Sequence, residues 1–92
     1  MATALRLRIT GRVQGVGYRA WLEREARSRG LRGWVRNRRH GSVEALLIGD
    51  DQPAEAMVAA CQRGPRLAGV TDIERSPDTD DGRSGFDFLP TI

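Results

Sequence analysis

A loop rich in glycine and followed by an arginine is the first place in this chain where residue types and spacing could carry chemistry. Residues 15–20 read GVGYRA. Glycines let the backbone turn so that successive N–H groups point into one concavity, and the N-terminus of a following helix adds a positive dipole. Such a concavity binds an oxyanion, and the planar guanidinium of Arg19 could close over the same anion. The alternative is a tight turn that needs glycine for its backbone alone, with Arg19 in solvent.

The same six residues match the dinucleotide-binding fingerprint G-x-G-x-x-A. That fingerprint requires an acidic residue about 20 positions further on to hold the ribose. Residues 35–39 contain no acid, and one small chain of this kind lacks the doubly wound sheet. The chain also contains no lysine, which excludes a Walker A phosphate loop. We therefore expect no nucleotide cofactor and no other cofactor.

Asn37 is the second candidate, and it is the only asparagine in the chain. It ends an alternating segment and stands at the start of a short polar turn, residues 37–41. Its carboxamide could hold a water or a substrate oxygen at a fixed angle. Asparagine is also a common turn residue, and this residue alone favours the turn interpretation.

The remaining reactive or charged side chains have simpler interpretations. His40 could act as a general base near neutral pH, but a solvated turn residue is the plainer interpretation. Cys61 falls on the apolar stripe of a helix, which favours a core thiol over a nucleophile. Arg36, Arg38 and Arg39 form either a solvated hairpin tip or a cluster that steers an anionic substrate.

Hydrophobic periodicity predicts the elements that position these candidates. Alternation over residues 5–10 predicts a strand that stops at the glycine-rich stretch 11–17, and a helical stripe begins at Tyr18 and ends at Gly30. Two further alternating runs, 31–36 and 42–48, predict a hairpin. A second helix is predicted to start at residues 50–53 and to stop at 64–65. Two strands follow, at 66–75 and 85–88, with an acidic turn at 76–83 between them. The predicted core under the sheet includes Tyr18, Trp21, Leu22, Met57 and Val58.

This β-α-β-β-α-β order, with a short final strand, predicts an α+β fold. Two helices cannot shield both faces of a short sheet, so both should pack on one face of a mostly antiparallel sheet. Right-handed crossovers then give the ferredoxin-like split βαβ sandwich. We expect residues 1–92 to form a single domain, and the pairing of the final strand is left open.

Composition is that of an ordinary globular domain, with 39% hydrophobic and 29% charged residues. The longest apolar runs, 57–61 and 45–48, fall far short of the ~18 residues of a membrane span, and no signal-like block follows Met1. The single cysteine cannot form an intramolecular disulfide. These features predict a cytoplasmic protein with no membrane partner.

The charges divide the chain into a basic and an acidic half. All fifteen basic residues are arginine; residues 1–40 hold eleven of them against two glutamates, whereas residues 41–92 hold four against ten acids. A basic half suits an anionic partner, either a small phosphorylated molecule or a nucleic acid.

Two segments together resemble the signatures of the acylphosphatase family. Residues 11–19, GRVQGVGYR, are similar to the family motif G-x-V-Q-G-V-x-[FY]-R. Residues 33–37, GWVRN, with GSVE at 41–44, resemble its motif G-[WFY]-V-x-N…G-x-V-E. Both motifs are specific and their separation fits. The resemblance covers nearly the whole chain, although His40 replaces a commonly acidic residue and the segment 76–83 and the final strand match loosely.

The resemblance implies hydrolysis of an acyl phosphate to a carboxylate and inorganic phosphate, by an acid-anhydride hydrolase with this same fold. It implies that Arg19 and Asn37 are the catalytic pair, with Arg19 on the phosphoryl group and Asn37 on the attacking water. The phosphate cradle that it implies consists of the backbone of Gln14, Gly15, Val16, Gly17, Tyr18 and Arg19.

This chemistry makes modest demands on the protein. A carboxylate leaves without a proton, so catalysis needs charge neutralisation and an aimed water rather than a strong general acid. The sequence has no H-x-x-H, C-x-x-C or clustered aspartate motif, so we expect no metal. The expected partners are a small-molecule acyl phosphate, and phosphate or sulfate as a product-like ligand, bound by a monomer.

Two alternatives belong to other classes. The basic half and residues 32–35, RGWV, weakly suggest an RNA-binding sheet, but the aromatic neighbours that such a sheet needs are missing. The same fold could also act only as a regulatory surface. An intact Arg19 and Asn37 argue against that, and we expect no nucleic-acid partner.

Overall fold

Two helices pack on one face of a five-stranded sheet in the computed structural model, which describes residues 2–92. The predicted α+β order, with its short final strand, is confirmed. In chain order the elements are β1 (Ala2–Arg12), α1 (Tyr18–Ser28), β2 (Arg32–Asn37), β3 (Val43–Asp50), α2 (Asp51–Arg63), β4 (Gly69–Pro77) and β5 (Phe86–Phe88).

The sheet has the strand order β4-β1-β3-β2-β5. The pairs β1–β4, β1–β3 and β2–β3 are antiparallel, and β5 runs parallel to β2 at the sheet edge. The first four strands therefore have the ferredoxin-like arrangement that the sequence predicts. The partner of the final strand, which the sequence left open, is β2.

Side-chain alternation separates the two faces of the sheet. On β1, Leu7 and Ile9 are buried in the main core with the apolar stripes of both helices, while Arg6 and Arg8 point to the opposite face. The predicted core residues lie in this main core; Trp21 is partly buried against it. The other face carries a small cluster of Trp34, Leu46 and Ile48.

The two helices begin and end close to where the sequence predicts. Two i,i+4 ion pairs support α1 and its C-cap: Glu23 binds Arg27 at 3.0 Å, and Glu25 binds the C-cap residue Arg29 at 2.7 Å. On α2, Pro53 lies in the first turn and Gly64 follows the last residue.

Two strands, β1 and β4, differ most from the prediction. β1 begins at Ala2 instead of residue 5, and it continues past Thr10 to Arg12 because a bulge between Thr10 and Gly11 lets pairing with β4 resume. β4 runs from Gly69 to Pro77, later than the predicted 66–75, because Pro77 still pairs with β1. The acidic segment between β4 and β5 is correspondingly shifted, to residues 78–85 instead of 76–83.

Candidate active site

An open cleft of about 170 Å³ lies where the β1–α1 loop meets the end of β2. It brings together both predicted catalytic residues, Arg19 and Asn37, which are far apart in sequence. The residues that line it are Val13, Gln14, Gly15, Gly17, Tyr18, Arg19, Ala20, Asn37 and Phe88. The cleft therefore joins the two motifs that the sequence singles out.

The loop leaves the N-terminus of α1 open towards the cleft. Gly15 and Gly17 have φ of 74° and 77°, a left-handed conformation that favours glycine. Gly17 is the N-cap residue, no side chain of residues 2–92 caps the helix, and the first turn of α1 contains no acid. The first amides of a helix have no intrahelical acceptor, so these N–H groups and the helix dipole can serve an anion.

Arg19 projects from this first turn and is half-buried. Its guanidinium carbon lies 4.6 Å from the centre of the Phe88 ring. No ion pair to Arg19 is found within residues 2–92, so its N–H groups stay available for an oxyanion. Sequence reasoning missed Phe88, because only the pairing of β5 with β2 brings this aromatic residue to the cleft.

Asn37 is the last residue of β2 and is 9% exposed. Its Oδ1 atom is buried and has no hydrogen-bond partner among the described residues. A buried polar atom without a partner is uncommon and costly. The carboxamide is thus held at the cleft with an acceptor that a water or a substrate group can satisfy.

The Gln14 side chain ties the loop to the β2–β3 hairpin. Its Nε2 donates to the carbonyl oxygen of Arg38 at 2.8 Å and to that of Ser42 at 2.9 Å. These bonds fix the loop against the hairpin that carries Asn37. The Gln14 side chain therefore braces the site, a role that the sequence did not reveal.

Two other predicted cradle residues turn their side chains into the protein. Val16 packs against the main core and does not line the cleft. The Tyr18 hydroxyl donates to the backbone oxygen of Cys61 at 2.7 Å, and burial raises the pKa of this phenol above its ordinary value. Burial also raises the pKa of the Cys61 thiol, to about 12, as expected of a core residue. The side chains of Val16 and Tyr18 therefore play no part in the proposed anion binding.

The hairpin arginines divide into paired and exposed members. Arg36 and Arg38 contact Glu44, at 3.4 and 3.3 Å, on the face of the sheet opposite the helices. Arg39 and His40 are exposed, and His40 Nε2 lies 2.7 Å from the Ser42 hydroxyl. The solvated-tip interpretation thus holds for Arg39 and His40 and is wrong for the half-buried pair.

The face opposite the helices does not present a base-stacking platform. Trp34 is 5% exposed, and the guanidinium carbons of Arg6 and Arg36 lie 5.3 and 4.4 Å from its ring. Both arginines also bind Glu44. A nucleic-acid base could reach the ring only after these side chains moved.

Two kinds of feature are absent from residues 2–92. No three His, Cys, Asp or Glu side chains come together as a metal site. No helix in that range is long and apolar enough to cross a membrane.

Comparison with known proteins gives a consistent match. The acylphosphatase family model matches residues 5–88. An acylphosphatase of Azorhizobium caulinodans is 48% identical over the full length of both chains, and one of Rhodospirillum rubrum is 46% identical over 96% of this chain and 97% of its own. The crystal structure of acylphosphatase from Bacillus subtilis superposes with a TM-score of 0.92 at 37% identity, covering 97% of this chain and 99% of that one. With the two motifs meeting at one cleft, these matches show that the chain belongs to the acylphosphatase family.

Proposed function

We propose that this acylphosphatase hydrolyses its acyl phosphate at the cleft between the β1–α1 loop and Asn37. The observation that carries the proposal is the open N-terminus of α1, with Arg19 beside it and the unpartnered Oδ1 of Asn37 in the same cleft. The N-terminus of α1 and Arg19 can bind a phosphoryl group, and the Asn37 carboxamide can bind a water.

The amides of residues 14–19 and the Arg19 guanidinium bind the phosphoryl oxygens. Backbone N–H groups fixed by the loop need no reorganisation as charge develops in the transition state. The guanidinium adds a full positive charge and a planar pair of donors. Inorganic phosphate and sulfate present the same oxygens, so both are product-like ligands of the cradle.

Asn37 positions the attacking water in line with the scissile P–O bond. Oδ1 accepts a hydrogen bond from that water and thereby orients its lone pair towards phosphorus. The new bond forms between the water oxygen and phosphorus as the bond from phosphorus to the acyl oxygen breaks. The bonding pair leaves with the carboxylate.

Proton transfer in the cleft does not require a protein acid or base. The ionisable groups in the lining are Arg19 and Tyr18, and the Tyr18 proton is engaged by the Cys61 carbonyl inside the core. The carboxylate departs without a proton. The proton of the attacking water passes to a phosphoryl oxygen, so phosphate is released in a protonated form.

Phosphate release from acetyl phosphate and benzoyl phosphate tests this assignment. We expect one phosphate per substrate consumed, with activity lost in Arg19→Gln and kept in Arg24→Gln, which removes an exposed charge from the same helix. Equal rates for the unaltered chain and Arg19→Gln would overturn the assignment of the cleft.

We further propose that residues 1–92 act as one domain, as a monomer and in the cytoplasm, on a small-molecule acyl phosphate and without a nucleic-acid partner. The common core of both helices supports the single domain. The covered Trp34 supports the absence of a nucleic-acid role. Gel filtration with light scattering tests the monomer, for which we expect one species near the 10.2 kDa mass of the chain.

A further inference from the structure

Phe88 is an exposed aromatic residue at the cleft that lies outside both sequence motifs. Its side chain is 45% exposed, which is unusual here, because most large apolar residues in the described chain are covered. The ring lines the cleft and lies against the Arg19 guanidinium, 4.6 Å from its central carbon to the ring centre. An apolar side chain left open at a polar site calls for an explanation.

We propose that Phe88 is a positioning residue that holds Arg19 ready to bind the phosphoryl group. This inference rests on the function proposed above. A ring attracts the face of a guanidinium, whereas the N–H donors project from its edge. The contact therefore restrains Arg19 and leaves its donors free for phosphate.

An acidic partner would also hold Arg19 in place, but it would leave the guanidinium less able to bind phosphate. Arg27 in the last turn of the same helix, and Arg29 at its C-cap, are each held by a glutamate four residues earlier. Such a carboxylate occupies the donors and offsets the charge that a phosphoryl group needs. An aromatic partner avoids both effects.

The backbone of Phe88 is fixed by the strand that carries Asn37. Phe88 pairs with Val35 of β2, and the next residue, Leu89, donates its N–H to the Val35 carbonyl at 2.9 Å. Asn37 lies two residues further along β2. The same strand thus places Asn37 directly and Arg19 through Phe88, so the water-binding and phosphate-binding groups share one support.

Phe88→Leu removes the ring and keeps an apolar side chain, and Phe88→Trp keeps a ring. We expect Phe88→Leu to weaken inorganic phosphate binding by about 2- to 30-fold, the range of a cation–π contact. KM should rise by a similar factor for acetyl phosphate and benzoyl phosphate, and Phe88→Trp should restore both values. Leu67→Ala, at an exposed apolar residue outside the cleft, serves as the control and should change neither.

Phosphate affinity is measured by calorimetry, which needs no turnover, and the thermal midpoint is measured for every variant. Unchanged phosphate affinity in Phe88→Leu would overturn the inference. A loss confined to benzoyl phosphate would also overturn it, because Phe88 would then contact the acyl group. If Phe88→Leu lowers the thermal midpoint, its phosphate affinity alone cannot test the proposal, and the variants that keep a ring, Phe88→Trp and Phe88→Tyr, are used instead. If neither of these two variants retains phosphate affinity, the positioning role is wrong. If the unaltered chain binds phosphate but hydrolyses no acyl phosphate, the proposed function is wrong. The role of Phe88 in holding Arg19 is then still tested by the phosphate affinities of the Phe88 variants.

Discussion

Replacing Asn37 with alanine separates the water-positioning role from phosphate binding. The change removes the carboxamide from the cleft but leaves the loop amides, Arg19 and the Phe88 contact in place. We therefore expect the inhibition constant for inorganic phosphate to stay within about threefold of its original value, because the cradle is intact. Turnover, by contrast, depends on the water that the carboxamide aims.

The expected fall in kcat is about 10²–10³, which corresponds to the loss of one positioned transition-state hydrogen bond of about 3–4 kcal/mol. Stability should change little. Oδ1 of Asn37 accepts no hydrogen bond from the described residues, so deleting it leaves no protein donor unpaired. A change within about 1 kcal/mol moves the thermal midpoint of a domain of this size by less than about 8 °C.

The assay measures kcat and KM with benzoyl phosphate, competitive inhibition by phosphate, and the thermal midpoint on one preparation. Gln62→Ala, which deletes a carboxamide from the exposed side of α2, is the matched control and should leave all values unchanged. Asn37→Asp keeps the shape but brings a negative charge beside the phosphoryl group, so phosphate affinity should fall. If phosphate affinity collapses with kcat in Asn37→Ala, Asn37 is a binding residue; if the midpoint collapses too, it is a structural turn residue.

Three further predictions concern the cradle and the sheet. Arg19→Lys keeps the charge but loses the planar pair of donors, so phosphate binding should weaken and kcat should fall steeply; near-normal kinetics would remove Arg19 from the mechanism. Because amides and Arg19 neutralise the phosphoryl charge, hydrolysis should persist in EDTA and be inhibited competitively by phosphate, whereas loss of turnover restored by magnesium would contradict this. Gly33→Ala should destabilise the fold by about 2–5 kcal/mol, because Gly33 has φ of 140° and a Cβ there would clash with the Leu46 carbonyl oxygen. Gly85→Ala, with ordinary φ and open space, should be close to neutral in the same denaturation series.

Periodicity predicted most of the fold because the pattern is local. The alternation around Leu7 and the stripe from Tyr18 reflect which face each element buries, and a neighbour three or four residues away is enough to reveal it. Boundaries set by distant pairing were predicted less well. The continuation of β1 past Gly11 depends on β4, more than fifty residues away, and the partner of β5 depends on the whole sheet order.

In the candidate site, too, local features were predictable from the sequence and features that depend on distant contacts were not. The glycine-rich loop, Arg19 and Asn37 stand out by residue type and motif. The brace formed by Gln14 and the contact of Phe88 with Arg19 arise only when the hairpin and β5 come together in space. The residue types of Gln14 and Phe88 do not indicate these roles, because glutamine is common in loops and phenylalanine is common in strands.

If the open start of α1 binds an anion as proposed, the stability of this chain should depend on the buffer. The Gly17 N-cap lacks a capping side chain, which costs only about a few tenths of a kcal/mol relative to a polar cap, and it leaves the first amides of α1 for the proposed anion. Any oxyanion that binds the folded chain and not the unfolded one raises its unfolding free energy, by about 2.7 kcal/mol when the anion is present at a hundred times its dissociation constant. We therefore expect phosphate and sulfate buffers to stabilise this protein, and a buffer without such anions to give the intrinsic unfolding free energy. A variant with a weakened cradle loses part of this added stability even if its fold is otherwise unaltered.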